Sequence, residues 1–161
     1  MKKKFTLKNI GLALLVVFIV MQAFRIEKSN PNTDPANDFI IINQPSVEVV
    51  TILKGACYDC HSNNVTYPWY TNIAPFSWWI KDHVNDGRDE LNFSEWKTYS
   101  LRRMDKKMKE AVEMVDEDEM PMYSYTIMHK NATLTKEQKA LLLAFLARCE
   151  PAKAIKQKSN F

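Results

Sequence analysis

Glycine is scarce, three among 161 residues against seven prolines, which excludes collagen-like and glycine-rich low-complexity classes. No internal repeat is present, and no segment alternates apolar and polar residues long enough to build a sheet. Acidic residues are missing altogether from residues 1–26, where Lys2, Lys3, Lys4, Lys8 and Arg25 give +5. Residues 27–161 carry 17 basic against 19 acidic side chains, a net of −2 that the chain's formal +3 conceals. A nucleic-acid-binding body would be basic, so that class is excluded. The length fits one ordinary domain with appendages and is too short for two full-sized ones.

What the N-terminus does have is an apolar run, 10–24, whose only polar side chain is Gln22. As a helix it reaches about 22 Å, short of the roughly 30 Å hydrocarbon core, with Phe5, Leu7 and Ile26 able to extend it. A positive start and an apolar middle read as an export signal. Residues 21–26 offer no small-x-small pair for a signal peptidase. Residues 1–26 are therefore expected to be an uncleaved signal anchor, a transmembrane helix with the lysines inside and the remainder exported. A cleaved signal peptide is the rival reading. A buried soluble helix disagrees with an apolar character on all faces. Residues 27–45, with three prolines and four asparagines, describe an extended linker. Within it, 39–42 reads as a short strand or an apolar strap.

From Pro45 onward the pattern is helical. Ser46 can cap a helix whose Val47, Val50, Ile52 and Leu53 lead into Cys57. A second helix is expected from Pro75 through Phe76, Trp79, Ile80 and Val84 towards Gly87. A third sets Leu101, Met104, Met108, Val112 and Val115 in one stripe, broken by the acidic run 116–119 and Pro121. Thr135 with Gln138 makes a capping box for the last helix, which carries Leu141, Leu142, Phe145, Leu146 and Cys149 and is stopped by Pro151. The fold class is all-α, a small domain over 46–150 followed by a basic tail, 151–161.

The chemistry lies at Cys57-Tyr58-Asp59-Cys60-His61. Two cysteines three apart on a helix end share a face, so both sulfurs reach one edge of a flat ligand, and the following histidine turns towards its centre. Cys-x-x-Cys-His is the attachment pattern of c-type haem, with thioethers from both cysteines and axial ligation by the histidine. A thioredoxin-like pair expects a βαβ setting that is absent. A zinc site wants a second ligand pair, whereas His83, His129 and Cys149 are scattered. A disulfide between cysteines this close is a strained staple.

The second axial position has countable candidates. Met120, in Glu119-Met120-Pro121-Met122, follows the third helix in irregular backbone suited to holding a thioether inward, and is the favoured ligand. Met122 competes by proximity, and His83 or His129 would give bis-histidine ligation. Met104, Met108 and Met114 read as core filler or helix surface. Between motif and third helix lie Trp69, Tyr70, Phe76, Trp78, Trp79, Phe93 and Trp96, which serve a porphyrin wall or an ordinary core equally well. Arg88 or Trp96 is placed as a possible propionate partner. Cys149 is the odd thiol, expected to be buried on the last helix's apolar face.

Cys57-Tyr-Asp-Cys-His-Ser-Asn, Tyr67-Pro-Trp-Tyr, Ala74-Pro-Phe-Ser-Trp-Trp, Gly87-Arg88 and Leu91-Asn-Phe-Ser-Glu-Trp96 together resemble the bacterial haem-binding domain family related to c-type cytochromes. Glu119-Met-Pro and Ser124-Tyr-Thr-Ile-Met-His129 resemble that family's later blocks, and the likeness covers roughly 40–148. It implies a small monohaem helical fold whose first and last helices cross as in class I cytochromes c. Cys57 and Cys60 would attach one haem c, with His61 proximal and Met120 distal. The expected function is one-electron transfer by a single-pass protein of the bacterial inner membrane, its C-terminal domain in the periplasm. The membrane is contacted through the N-terminal helix, and the redox partner is unnamed. An electron carrier is not an enzyme. The alternative is a haem sensor or small peroxidase-like enzyme with an open sixth position.

Overall fold

The computed structural model describes residues 6–149, and all regular structure among them is helical. Eight α-helices run in chain order: α1 (Leu7–Met21), α2 (Phe39–Asn43), α3 (Val47–Ala56), α4 (Tyr58–His61), α5 (Phe76–Glu90), α6 (Leu101–Asp116), α7 (Tyr123–Met128) and α8 (Lys136–Arg148). The basic tail and the first lysines lie outside the described residues.

The expected caps are in place. Ser46 Oγ accepts from Val49 N at 3.4 Å, and Thr135 and Gln138 exchange the two bonds of a capping box. Ser100 performs the same service for α6. The α6 stripe buries Met108 completely and Val115 almost so. Helix α8 packs on both α6 and α3, closing a core of Leu53, Met108, Leu142, Phe145 and Leu146.

Helix α1 spans 15 residues, none of them buried, and among the described residues no helix is long and apolar enough to cross a membrane. The described part of the N-terminus does not reach the expected transmembrane length: α1 runs from Leu7 to Met21, and Gln22 to Ile26 leave it as irregular chain.

Residues 27–45 also differ from an extended linker. Asp38 caps α2 through Ile40 N at 2.8 Å, and Gln44, at φ 46°, ends it in the left-handed region. The result is neither strand nor tether but a helical strap. Phe39 is fully buried, its ring 4.9 Å from Phe93, 5.1 Å from Trp96 and 5.8 Å from Phe145. Burying an aromatic ring outweighs the entropy of ordering a short, proline-rich segment, which is why composition alone misleads here.

Candidate functional site

Helix α3 delivers Cys57 at its C-cap, and α4 begins one residue later, so Cys57, Cys60 and His61 come from one continuous corner. Both thiols are free and half-buried, and burial pushes them up, to about 12 for Cys57 and about 11 for Cys60. They are neutral thiols at pH 7, unlike the activated thiolate of a redox pair.

The His61 ring is fixed from behind. Its Nδ1 lies 2.8 Å from the Gly87 carbonyl oxygen and 3.0 Å from that of Leu91. Both oxygens only accept, so Nδ1 carries the hydrogen and Nε2 keeps its lone pair on the cavity side. Burial holds the imidazole below its ordinary 6.5, against the opposing pull of those two carbonyls. An oriented neutral imidazole with a free Nε2 is what an axial metal ligand needs.

Gly87 makes this approach possible. A Cβ at that position would stand 2.8 Å from the Cys60 carbonyl oxygen, which is backbone and cannot swing away. The Leu91 side is braced by a buried polar knot. Asn92 Nδ2 donates to Asn63 Oδ1 at 2.9 Å, Ser94 Oγ accepts from Asn63 N at 3.0 Å, and Asn92 N donates to Tyr99 Oη at 2.8 Å. Asn63, Asn92 and Ser94 sit within the His61-Ser-Asn and Leu91-Asn-Phe-Ser stretches, where nothing local marks them as braces of the site beyond their polar side chains.

In front of the ring opens a cavity of about 550 Å³, in the range of ligand-sized pockets. Leu53, Phe93, Val115, Leu142 and Leu146 form its apolar floor, and Cys57, Cys60 and His61 stand on one wall. Met120, Pro121 and Met122 enter from the loop after α6. That loop folds back because Glu119 N and Met120 N both donate to the Met114 carbonyl, at 2.9 and 3.0 Å, with Asp118 left-handed at φ 61°. Met120 packs against the core while also facing the cavity. Met114, expected as filler or surface, lines it too. A charged edge of Glu90, Lys107 and Glu110 bounds one side, Lys107 Nζ reaching Glu90 at 2.6 Å and Glu110 at 2.8 Å.

The other candidates separate cleanly. His83 lines the cavity, but on α5 one turn before Gly87, the helix that holds the His61 ring; its Nδ1 donates to the Trp79 carbonyl at 2.8 Å. His129 is outside the cavity, stacked 4.1 Å from Tyr125 and hydrogen-bonded through Nε2 to Tyr70 Oη. Arg88 does not line the cavity: its Nε donates to the Ser62 carbonyl at 2.8 Å and its Nη2 to Asn30 Oδ1 at 3.0 Å. Trp96 is a core residue under Phe39. Of the nine aromatics between motif and α6, only Phe93 lines the cavity. Tyr125, unremarked in the sequence, lines it and donates to Asp59 Oδ2 at 2.7 Å, joining α7 to the cysteine motif. Cys149 is half-buried against the core, its thiol pushed up to about 11 by burial.

The residues present fit a flat, largely apolar group with a metal at its centre: two thiols on one wall, a fixed nitrogen lone pair and a thioether on a separate loop. A family model described as "Haem-binding domain" matches residues 16–148, which include every residue lining the cavity. No curated protein and no solved structure matches the chain.

Proposed function

The chain belongs to the haem-binding domain family, and from that premise we propose that it holds one haem c and passes single electrons at the periplasmic face of a bacterial inner membrane. Bound haem supplies an Fe(III)/Fe(II) couple. Cys57 and Cys60 would hold it covalently, each S–H adding across one of its vinyl groups to leave a thioether. His61 would offer Nε2 to the iron and Met120 its own thioether from the loop. The relation to c-type cytochromes is part of the same reading. The apolar α1, with Lys8 in its first turn and Arg25 beyond its end, supports attachment to the membrane.

The observation that carries this reading is the His61 ring, locked by two carbonyls with Nε2 towards a cavity whose same wall bears both thiols. A thioether ligand raises the potential relative to a second histidine, which suits a carrier. The charged edge of the cavity and the mildly acidic body steer basic partner surfaces, an effect that salt weakens. The competing reading, a sensor or peroxidase-like enzyme with an open sixth position, rests on His83 at the cavity edge. His83 lies on α5, the same helix whose Gly87 carbonyl holds the His61 ring from behind, which favours Met120, on a separate loop, as the second ligand.

The attachment is tested by producing the chain with a c-type assembly system and denaturing it. The parent chain is expected to keep haem through acid–acetone extraction, and Cys57→Ser/Cys60→Ser to lose it. Haem still covalently bound in that double variant would contradict the assignment.

A further inference from the structure

Apart from Phe93, the cavity does not use the aromatic residues that precede α6, and several of them stand in the open. Trp69 is 71% exposed, Phe76 63%, Phe24 65% and Trp79 46%. Single exposed apolar residues need no explanation, but large aromatics grouped at one place do.

Their grouping follows from how the chain leaves α1. The Gln22 side chain pairs reciprocally with Ala74, Nε2 donating to the carbonyl at 3.1 Å and Oε1 accepting from the amide at 3.0 Å. Trp78 Nε1 donates to the Phe24 carbonyl at 2.8 Å. Lys28 Nζ reaches Asn72 Oδ1 at 2.6 Å, and Asn72 Nδ2 donates to the Trp69 carbonyl at 2.8 Å. Asn30 repeats the Gln22 device on Val65, accepting at 3.2 Å and donating at 3.0 Å. The exit of α1 is therefore clamped to the segment 69–78 rather than trailing from it. Phe76 follows Ala74 by two residues, and Trp79, three further on, shares its helix face.

We propose that Phe24, Trp69, Phe76 and Trp79 rest on the surface of a phospholipid bilayer and, with α1, form one composite membrane-contact surface. The proposal rests on the membrane placement given above. The argument for lipid over a protein partner is α1 itself. Its residues from Leu7 to Val20 are exposed on every face, and a protein groove covers a stripe whereas hydrocarbon covers a cylinder. The helix reaches about 22 Å, less than the core of a bilayer, and the aromatic patch continues the apolar surface past its last turn. Tryptophan and phenylalanine at the end of an apolar helix, with Arg25 and Lys28 beside them, match the composition of the interfacial zone. Because the clamps fix the patch relative to α1, the haem domain is held at a set orientation instead of swinging on a tether.

The test places a photo-crosslinking benzoylphenylalanine, one site at a time, at Leu14, Trp69, Phe76, Val47 and Leu101 of the full chain. The chain is reconstituted in vesicles of phosphatidylethanolamine and phosphatidylglycerol. Val47 and Leu101 are exposed controls outside the patch. Phospholipid adducts are expected at Leu14, Trp69 and Phe76, on the order of tenfold above the controls, as interfacial burial requires. Adducts at Leu14 with only control levels at Trp69 and Phe76 overturn the patch and leave the anchor standing. No adduct at Leu14 either removes the membrane placement and this inference together. Protein adducts at Trp69 and Phe76 in place of lipid also overturn it.

Discussion

His61 Nδ1 has two carbonyl oxygens behind it and no room for a competing tautomer. In the haem-free chain this has a pH consequence. Burial lowers the folded-state pKa below 6.5, so the unfolded chain binds the proton first. The stability that neutral His61 contributes is present above about 6.5 and is lost as pH falls through the folded value. Imidazole nitrogen shifts followed by NMR are expected to place the titration of His61 below 6.5; titration at or above 6.5 would refute the burial argument. Gly87→Ala presses a methyl on the Cys60 carbonyl, 2.8 Å away, and is expected to cost about 1–3 kcal/mol in urea unfolding. A change within about 0.5 kcal/mol, the level of a neutral surface substitution, would show that α5 retreats freely. The motif was legible at this scale because Cys57, Cys60 and His61 are nearly contiguous in the chain. The atoms that orient His61 were not, since they lie 26 and 30 residues away and are backbone.

At the scale of elements, α6 and α8 were readable from periodicity and from the capping side chains Ser100 and Thr135, whereas α5 was readable from Pro75 and its apolar spacing without a side-chain cap. Helix α2 was not, because five residues contain too little period to distinguish strand from helix, and only the pocket between Phe93, Trp96 and Phe145 decides it. Phe39→Ala therefore removes a core ring rather than a linker side chain. The expected loss is about 3–5 kcal/mol in chemical denaturation, and a loss below 1 kcal/mol, the range of a surface change, would mean the strap is not structural. Tyr125 joins α7, just past the Met120 loop, to Asp59 within the cysteine motif. Tyr125→Phe is expected to lower stability by about 1–2 kcal/mol while preserving the ring's stack on His129. Unchanged unfolding would mean that water replaces the bond at no cost.

For the whole molecule, the cavity emerges only when α3, α4, α5, α6, α7 and α8 are brought together, and no local pattern announces it. The sequence suggested a tethered domain and left its aromatics open between a porphyrin wall and an ordinary core. The folded chain spends most of those aromatics away from the cavity, which leucines, methionines and Phe93 help to line. Met120 was legible because a proline-flanked methionine between two helices has no stripe to join, whereas Met114 sat in a helix and showed nothing of its place on the cavity wall. The central claim is that this one cavity holds a haem with both axial positions filled. Its most direct test is the absorption spectrum of the matured chain, oxidised and reduced, with and without carbon monoxide. The account predicts a low-spin spectrum with a weak near-infrared sulfur-to-iron band when oxidised, unmoved by carbon monoxide when reduced. A high-spin spectrum, or prompt binding of carbon monoxide, would contradict Met120 as the sixth ligand and electron transfer with it.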